Sequence, residues 1–106
     1  MNINTEDQAL EELYKNGKTQ DKKYKNLPLA AIKGYIKAVN HLKAANRIED
    51  LYRINSLHYE KLKGNRTNQE SVRCTDSWRL IFHSSPIDGS LIITEICLIE
   101  ITHHYE

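Results

Sequence analysis

The chain has 106 residues, of which 40% are hydrophobic and 27% charged, with a formal net charge of +1; these values are typical of one small globular domain. No apolar run approaches the roughly 20 residues that cross a bilayer, and the N-terminus lacks the pattern of a signal peptide, so we expect no membrane segment. Two cysteines, Cys74 and Cys97, do not make a disulfide framework, and we expect a cytoplasmic protein with a single domain over residues 1–106.

The charges are distributed unevenly along the chain. Residues 15–66 carry thirteen Lys and Arg against four acids, whereas residues 1–14 carry four acids and no Lys or Arg, and residues 67–106 carry two Arg against six acids. We call residues 15–66 the basic block. Clustered cations attract phosphates, so the block predicts a polyanionic partner. Solvated helices with lysine-rich outer faces would produce the same pattern.

Two helices are predicted in the first half of the chain. The first covers residues 6–16, with Thr5 as its N-cap and Gly17 as its stop. The second runs from about residue 28 to residue 45, because apolar residues recur there at spacings of three and four. That apolar stripe consists of Leu29, Ile32, Ile36, Val39 and Leu42.

From residue 57 the pattern changes to short runs rich in β-branched and aromatic residues, separated by turn residues. These runs predict an antiparallel sheet of three to four strands over residues 57–101, with the PIDG segment, residues 86–89, as a hairpin turn. Helices followed by strands indicate an α+β fold, in which a helical hairpin packs on one face of a twisted antiparallel sheet.

Two arginines are predicted to converge on adjacent strands. Strand alternation places Arg73 on the same face as Ser71, and Arg79 on the same face as Ile81. A tight Thr-Asp-Ser turn joins the two strands, so both guanidinium groups could face one site. A structural ion pair between Arg79 and Glu95 across the sheet is the alternative.

The segment from Leu62 to Phe82, LKGNRTNQESVRCTDSWRLIF, resembles the signature of HigB-type toxins in the RelE/ParE superfamily. That signature contains Leu-Lys-Gly, a basic residue, Ser-Ile-Arg, a turn and Trp/Tyr-Arg-Ile-x-Phe, and weaker similarity extends over residues 9–105. The resemblance implies a RelE-like fold with an RNA-binding concavity on the sheet. Family members usually begin with an extended strand, whereas MNINTED is polar and short. The sequence therefore does not decide whether an N-terminal edge strand is present.

The resemblance implies cleavage of mRNA in the ribosomal decoding site, with the RNA 2′-hydroxyl attacking its own 3′-phosphate, so that no metal and no cofactor are expected. It implies that Arg73 and Arg79 bind the phosphate through their guanidinium forks. Lys63 matches a basic residue at the active-site edge. His104 and Tyr105, near the chain end, match an acid or a base-stacking platform. The expected RNA-binding residues are Arg66, His58 and Lys61.

The resemblance also implies the partners: a cognate antitoxin of the helix-turn-helix type, together with mRNA and ribosomal RNA on the ribosome, and no membrane. The leading hypothesis is therefore a metal-independent endoribonuclease, the toxin of a type II toxin–antitoxin system. A ParE-like toxin that binds DNA gyrase without hydrolysis and a catalytically inert binding module are the alternatives, because one fold hosts several functions. Solvated positions for Lys63 and Arg66, and a frayed polar tail, are the structural alternatives for the site.

Overall fold

The computed structural model describes residues 1–86 and 94–103. Their main elements are strand β1 (Asn2–Thr5), helices α1 (Gln8–Asn16) and α2 (Leu29–Ala44), and strands β2 (Glu60–Lys61), β3 (Glu70–Arg73), β4 (Trp78–Pro86) and β5 (Thr94–His103). Three short 3₁₀ helices cover Ile48–Arg53, Asn55–Leu57 and Gly64–Arg66. The predicted α+β class is confirmed. Neither α1 nor α2, the α-helices of the described ranges, has the length and apolar character of a membrane span.

The described strands form one sheet in the order β1-β5-β4-β3-β2. Strands β2 to β5 form the predicted antiparallel meander. β1 extends the sheet beside β5 in parallel, with Ile3 opposite Ile96, so the prediction of three to four strands, all antiparallel, is wrong at this edge. An edge strand buries only alternate side chains, and Ile3 is half-buried between exposed Asn2 and Asn4. The strand therefore has a mostly polar sequence, which does not predict a strand. Most of the predicted PIDG turn lies in residues 87–93, outside the described residues.

The ends of α1 follow from local hydrogen bonding. Gly17 ends the helix in the left-handed conformation, at φ 74°, as predicted. The N-cap is Asp7 rather than Thr5, because the Asp7 carboxylate accepts a hydrogen bond from the amide of Ala9. The prediction of Thr5 as N-cap is therefore wrong: Thr5 belongs to β1, where its hydroxyl donates to the carbonyl of Leu98.

Both helices pack on one face of the sheet. The buried face of α2 is rotated from the predicted stripe, since Leu29 is 63% exposed whereas Tyr35 is fully buried. The Tyr35 hydroxyl donates to the Leu10 carbonyl at 2.7 Å, which satisfies its polar group inside the core and joins the two helices. The core side chains from both layers include Leu10, Leu13, Tyr35, Val39, Leu42, Val72, Leu80, Phe82, Ile96, Leu98 and Ile101.

Helix α2 approaches the sheet very closely at Gly34. A Cβ atom at this position would overlap the carbonyl group of Cys74, with the carbonyl carbon only 2.7 Å away. Cys74 directly follows β3, so the helix backbone lies against the start of the turn that joins β3 to β4. A larger residue fits there only if the helix or the turn moves.

We predict that Gly34→Ala destabilises the fold by about 1–2 kcal/mol. In a helix interior the same change ordinarily stabilises by about 0.5–1 kcal/mol, but overpacking costs about 1–3 kcal/mol, so the expected sign is reversed. Urea unfolding measures the difference. Lys33→Ala, on the exposed side of α2, is the control and should stay within about 0.5 kcal/mol of the parent. A Gly34→Ala protein more stable than the parent would contradict the close approach.

Candidate functional site

The two predicted arginines lie opposite each other in the sheet. Arg73 on β3 and Arg79 on β4 are register partners, so their predicted convergence is confirmed. Val72 and Leu80 are fully buried in the core beneath the helices. Strand alternation therefore directs both arginines to the opposite face of the sheet.

Arg79 is held by contacts from three sides. Its Nε donates to Ser71 Oγ at 2.9 Å, and its Nη2 donates to the carbonyl of His58 at 2.6 Å. Nη2 also lies 3.9 Å from Glu60 Oε1, and only 11% of the Arg79 side chain is exposed. Burial lowers the pKa of Arg79, Glu60 raises it and Arg73 lowers it further. An arginine nevertheless remains a cation over the physiological range, so the site holds a fixed, partly desolvated positive charge.

The alternative pairing of Arg79 with Glu95 is wrong. Glu95 is the register partner of Ser85, whereas Arg79 is the partner of Thr102, so the two side chains lie at opposite ends of the β4–β5 pair. The side chain of Arg79 therefore does not pair with an acid of β5 and lies toward β2 instead.

Arg73 contacts one acid and one imidazole. Its Nη2 donates to Asp76, and its Nη1 lies 2.7 Å from His58 Nε2. Arginine has only donors, so Nε2 accepts and the ring proton resides on Nδ1. Asp76 is 90% exposed, which leaves this ion pair open to water. We define the arginine cluster as His58, Glu60, Ser71, Arg73, Asp76 and Arg79.

The sequence analysis did not single out Glu60, Ser71 or Asp76 as site residues, and Glu60 is the one whose carboxylate lies near Arg79. It lies in β2, where Ser71 is its register partner, and this pairing places it on the arginine face. Its side chain is 54% exposed. The one signal in the sequence that could have indicated Glu60 was its position, two residues before Leu62, which is the first residue of the Leu-Lys-Gly motif. A strand of two residues has no periodicity from which its outward face could be assigned.

The predicted lysines lie away from the cluster. The amide of Leu62 pairs with the carbonyl of Gln69, so the chain at Lys63 lies beyond the end of β3 opposite to Arg73. Lys63 is exposed, and the described residues include no hydrogen-bond or ion-pair partner for its side chain. Lys61 is also exposed and lines a neighbouring pocket of about 330 Å³ with His83 and Asn68. The structure therefore does not bring Lys63 together with the two arginines.

Arg66 is bound to the sheet rather than free. Its Nη1 donates to Gln69 Oε1 and to Glu100 Oε2, both at 3.0 Å. Two other cations of the basic block, Lys15 and Lys23, also pair with carboxylates. Part of the positive charge in the block is therefore compensated inside the protein.

The last strand ends next to Arg79. Thr102 is the register partner of Arg79, and His103 is that of Trp78. The rings of Trp78 and His103 meet edge to face, with centroids 5.0 Å apart. The predicted site residues His104 and Tyr105 lie outside the described residues and directly follow His103 in the chain.

The chemical groups of the cluster are two guanidinium cations, two carboxylates, an imidazole and a hydroxyl. The nearby thiol of Cys74 is not activated, because burial raises its pKa to about 12, an effect that Arg79 only partly opposes. Over residues 1–86 and 94–103, no three His, Cys, Asp or Glu side chains form a metal-binding group. Two forked cations beside a solvent-accessible carboxylate form an arrangement that binds an anion and accepts a proton.

Comparisons with known proteins give a family and a fold. A family model described as a RelE-like toxin of the type II toxin–antitoxin system HigB matches residues 4–93. A YoeB/ParE toxin from Agrobacterium tumefaciens has the same fold, with a TM-score of 0.53, 16% identity and coverage of 99% of this chain and 100% of that chain. A YoeB dimer and a YoeB–YefM complex from Staphylococcus aureus match with TM-scores of 0.48 and 0.47, at 23% identity, over 99% of this chain and 98% of theirs. No curated protein matches the sequence.

Proposed function

We propose that this protein, which belongs to the HigB family of RelE-like toxins of type II toxin–antitoxin systems, is an endoribonuclease that cleaves mRNA on the ribosome. The observation that carries the proposal is the register pairing of Arg73 with Arg79 beside the Glu60 carboxylate. Guanidinium forks match the oxygens of a phosphodiester, and the carboxylate is a proton acceptor at the same place.

The reaction needs no nucleophile from the protein. The 2′-oxygen of one nucleotide attacks the adjacent phosphorus while the bond to the 5′-oxygen of the next nucleotide breaks, which leaves a 2′,3′-cyclic phosphate and a 5′-hydroxyl. A base removes the 2′-hydroxyl proton, and an acid supplies a proton to the leaving oxygen. Negative charge grows on the phosphoryl oxygens in the transition state, and Arg73 and Arg79 stabilise it there.

We assign the base to Glu60. His58 is the nearest other candidate, but its Nε2 accepts from Arg73 and its Nδ1 carries the ring proton, so its ring has no free lone pair. The Glu60 carboxylate is 54% exposed and remains open to a substrate hydroxyl. We assign the acid to His104 or Tyr105, which follow the end of β5. Lys61 and Lys63 then bind the RNA backbone beyond the scissile phosphate, and Arg66 does so through the donors that its bonds to Gln69 and Glu100 leave free.

We also propose a cognate antitoxin, a small helix-turn-helix protein, as the partner that silences the toxin in the cell. The support is the family description, which places its members in type II toxin–antitoxin systems. The second partner is the ribosome with its mRNA. The support for it is the basic block, with thirteen Lys and Arg in residues 15–66.

We predict that Arg79→Ala lowers the rate of mRNA cleavage on programmed ribosomes by about 10²–10³-fold, because one preorganised cation is lost from the transition state. Growth arrest on induction in bacterial cells should disappear with it. Lys37→Ala, at an exposed position on α2, is the control and should lower the rate far less than Arg79→Ala, because Lys37 belongs to the basic block and not to the arginine cluster. Thermal unfolding verifies that both variants are folded.

Three outcomes would contradict the assignment. Full activity of both Arg79→Ala and Arg73→Ala would remove the phosphate-binding role. Filamentation with DNA damage, and no cleaved mRNA, would favour a gyrase-binding toxin. Harmless growth with the unmodified chain would favour an inert module.

A second prediction separates the base from the phosphate-binding groups. Glu60→Gln keeps the size of the side chain but removes its proton acceptor, and general-base catalysis contributes about 10²–10⁴-fold. We expect a loss of that size in the single-turnover cleavage rate. Asp76→Asn removes the same charge from the same cluster and is the matched control, with a rate equal to or above the parent. Equal rates for Glu60→Gln and the parent would exclude Glu60 as the base.

A third prediction concerns salt. The logarithm of the ribosome-binding constant should fall linearly with the logarithm of the salt concentration, with a slope of about 0.7–0.9 for each phosphate contact. The double variant Arg73→Ala/Arg79→Ala should lower that slope by roughly one phosphate contact, because both arginines bind the same phosphate. Co-sedimentation with ribosomes across a salt series measures it. Binding that fails at low salt would contradict an electrostatic contact with RNA.

A further inference from the structure

A groove beside the arginine cluster has an aromatic wall. It measures about 430 Å³, and its lining residues are Leu51, Tyr52, Ile54, Asn55, His58 and Tyr59. His58 belongs to both the groove and the cluster. Tyr52 is 56% exposed, and in the described part of the chain the other large apolar side chain exposed to this degree is Leu29.

The Tyr52 ring rests on a fixed support. Tyr59 donates its hydroxyl to Glu70 at 2.6 Å, and its ring lies 6.3 Å from that of Phe82 in the core. Glu70 is 6% exposed and also accepts from the amide and hydroxyl of Ser84, so the anchor of Tyr59 is itself held. The Tyr52 and Tyr59 rings lie 5.3 Å apart at 48°. The rest of the Tyr52 ring is open to solvent.

We propose that Tyr52 is a stacking platform for one base of the bound RNA, on the His58 side of the scissile phosphate. This inference rests on the proposed ribonuclease function. Arg73 lies 2.7 Å from the His58 ring, so a phosphate bound at Arg73 has a neighbouring nucleotide next to the groove. Unpaired bases bind proteins by stacking on exposed aromatic rings, and every base offers a π-face. Tyr52 therefore positions the RNA without selecting one base by hydrogen bonding.

The test uses the full-length protein and ribosomes programmed with mRNA whose 2′-hydroxyl at the cleavage position is methylated, so that binding is measured without cleavage. Tyr52→Ala should weaken binding about 5–150-fold, the range found for loss of one base–aromatic stack. Tyr52→Phe keeps the ring and should bind within about twofold of the parent. Leu29→Ala, the matched loss of an exposed apolar side chain, should change nothing.

Abasic nucleotides identify the base. At one position, removal of the base should weaken binding of the parent protein by the same factor as Tyr52→Ala, and should have no further effect on the Tyr52→Ala variant. If the two losses add at every position, or if Tyr52→Phe binds as weakly as Tyr52→Ala, the inference is overturned. It is also overturned if Tyr52→Ala loses antitoxin binding while RNA binding is unchanged, since the ring would then contact a protein.

Failure of the underlying function is distinguishable. A parent protein that neither binds programmed ribosomes nor cleaves their mRNA would overturn both proposals. A parent protein that cleaves, together with an inactive Arg79→Ala variant and a Tyr52→Ala variant of parental affinity, would overturn the stacking role alone.

Discussion

At Gly34 the backbone of α2 lies against the carbonyl of Cys74, and both faces of the sheet depend on that contact. Cys74 packs toward the core, while the preceding residue, Arg73, points to the other face. The turn that follows the first arginine is thereby fixed from behind by the helix. The second arginine, Arg79, is fixed through its register with Arg73 and its bond to the buried hydroxyl of Ser71. The position of the two arginines therefore follows from helix packing, because tightly packed interiors transmit displacement.

Two arginines at paired positions repel each other, and like charges directly opposite destabilise a strand pair. The protein compensates with two carboxylates, Asp76 on Arg73 and Glu60 near Arg79, so the four formal charges cancel when no ligand is bound. The two acids differ in their surroundings. Asp76 is 90% exposed, and water competes for its ion pair, so the phosphate ligand that we propose would displace it at little cost. Glu60 keeps its place beside Arg79 as the proton acceptor that we propose.

The sequence was informative where position follows from local periodicity. Strand alternation and a short turn were sufficient to predict that Arg73 and Arg79 share a face, and the family resemblance fits the α+β fold. The predictions failed where the position of a residue is decided by pairing between strands that are distant in the sequence. The edge strand around Ile3 pairs with residues more than ninety positions away, and its one half-buried apolar side chain gives no local signal. Glu60 faces the cluster only because β2 adds two residues to the sheet. Lys63 was grouped with the arginines through the motif, whereas the strand register separates them.

The half-buried thiol of Cys74, behind the β3–β4 turn, affects how the protein withstands oxidants. A cysteine beside two arginines would ordinarily lose its proton easily and react quickly. Cys74 lies instead on the core side, where burial raises its pKa to about 12, so peroxides and electrophiles meet an unreactive thiol at neutral pH. The packing of α2 against the sheet therefore slows chemical damage at this position. An alkylating reagent would thus modify Cys74 more slowly than an exposed thiol, and the rate at this residue would rise when the helical layer opens.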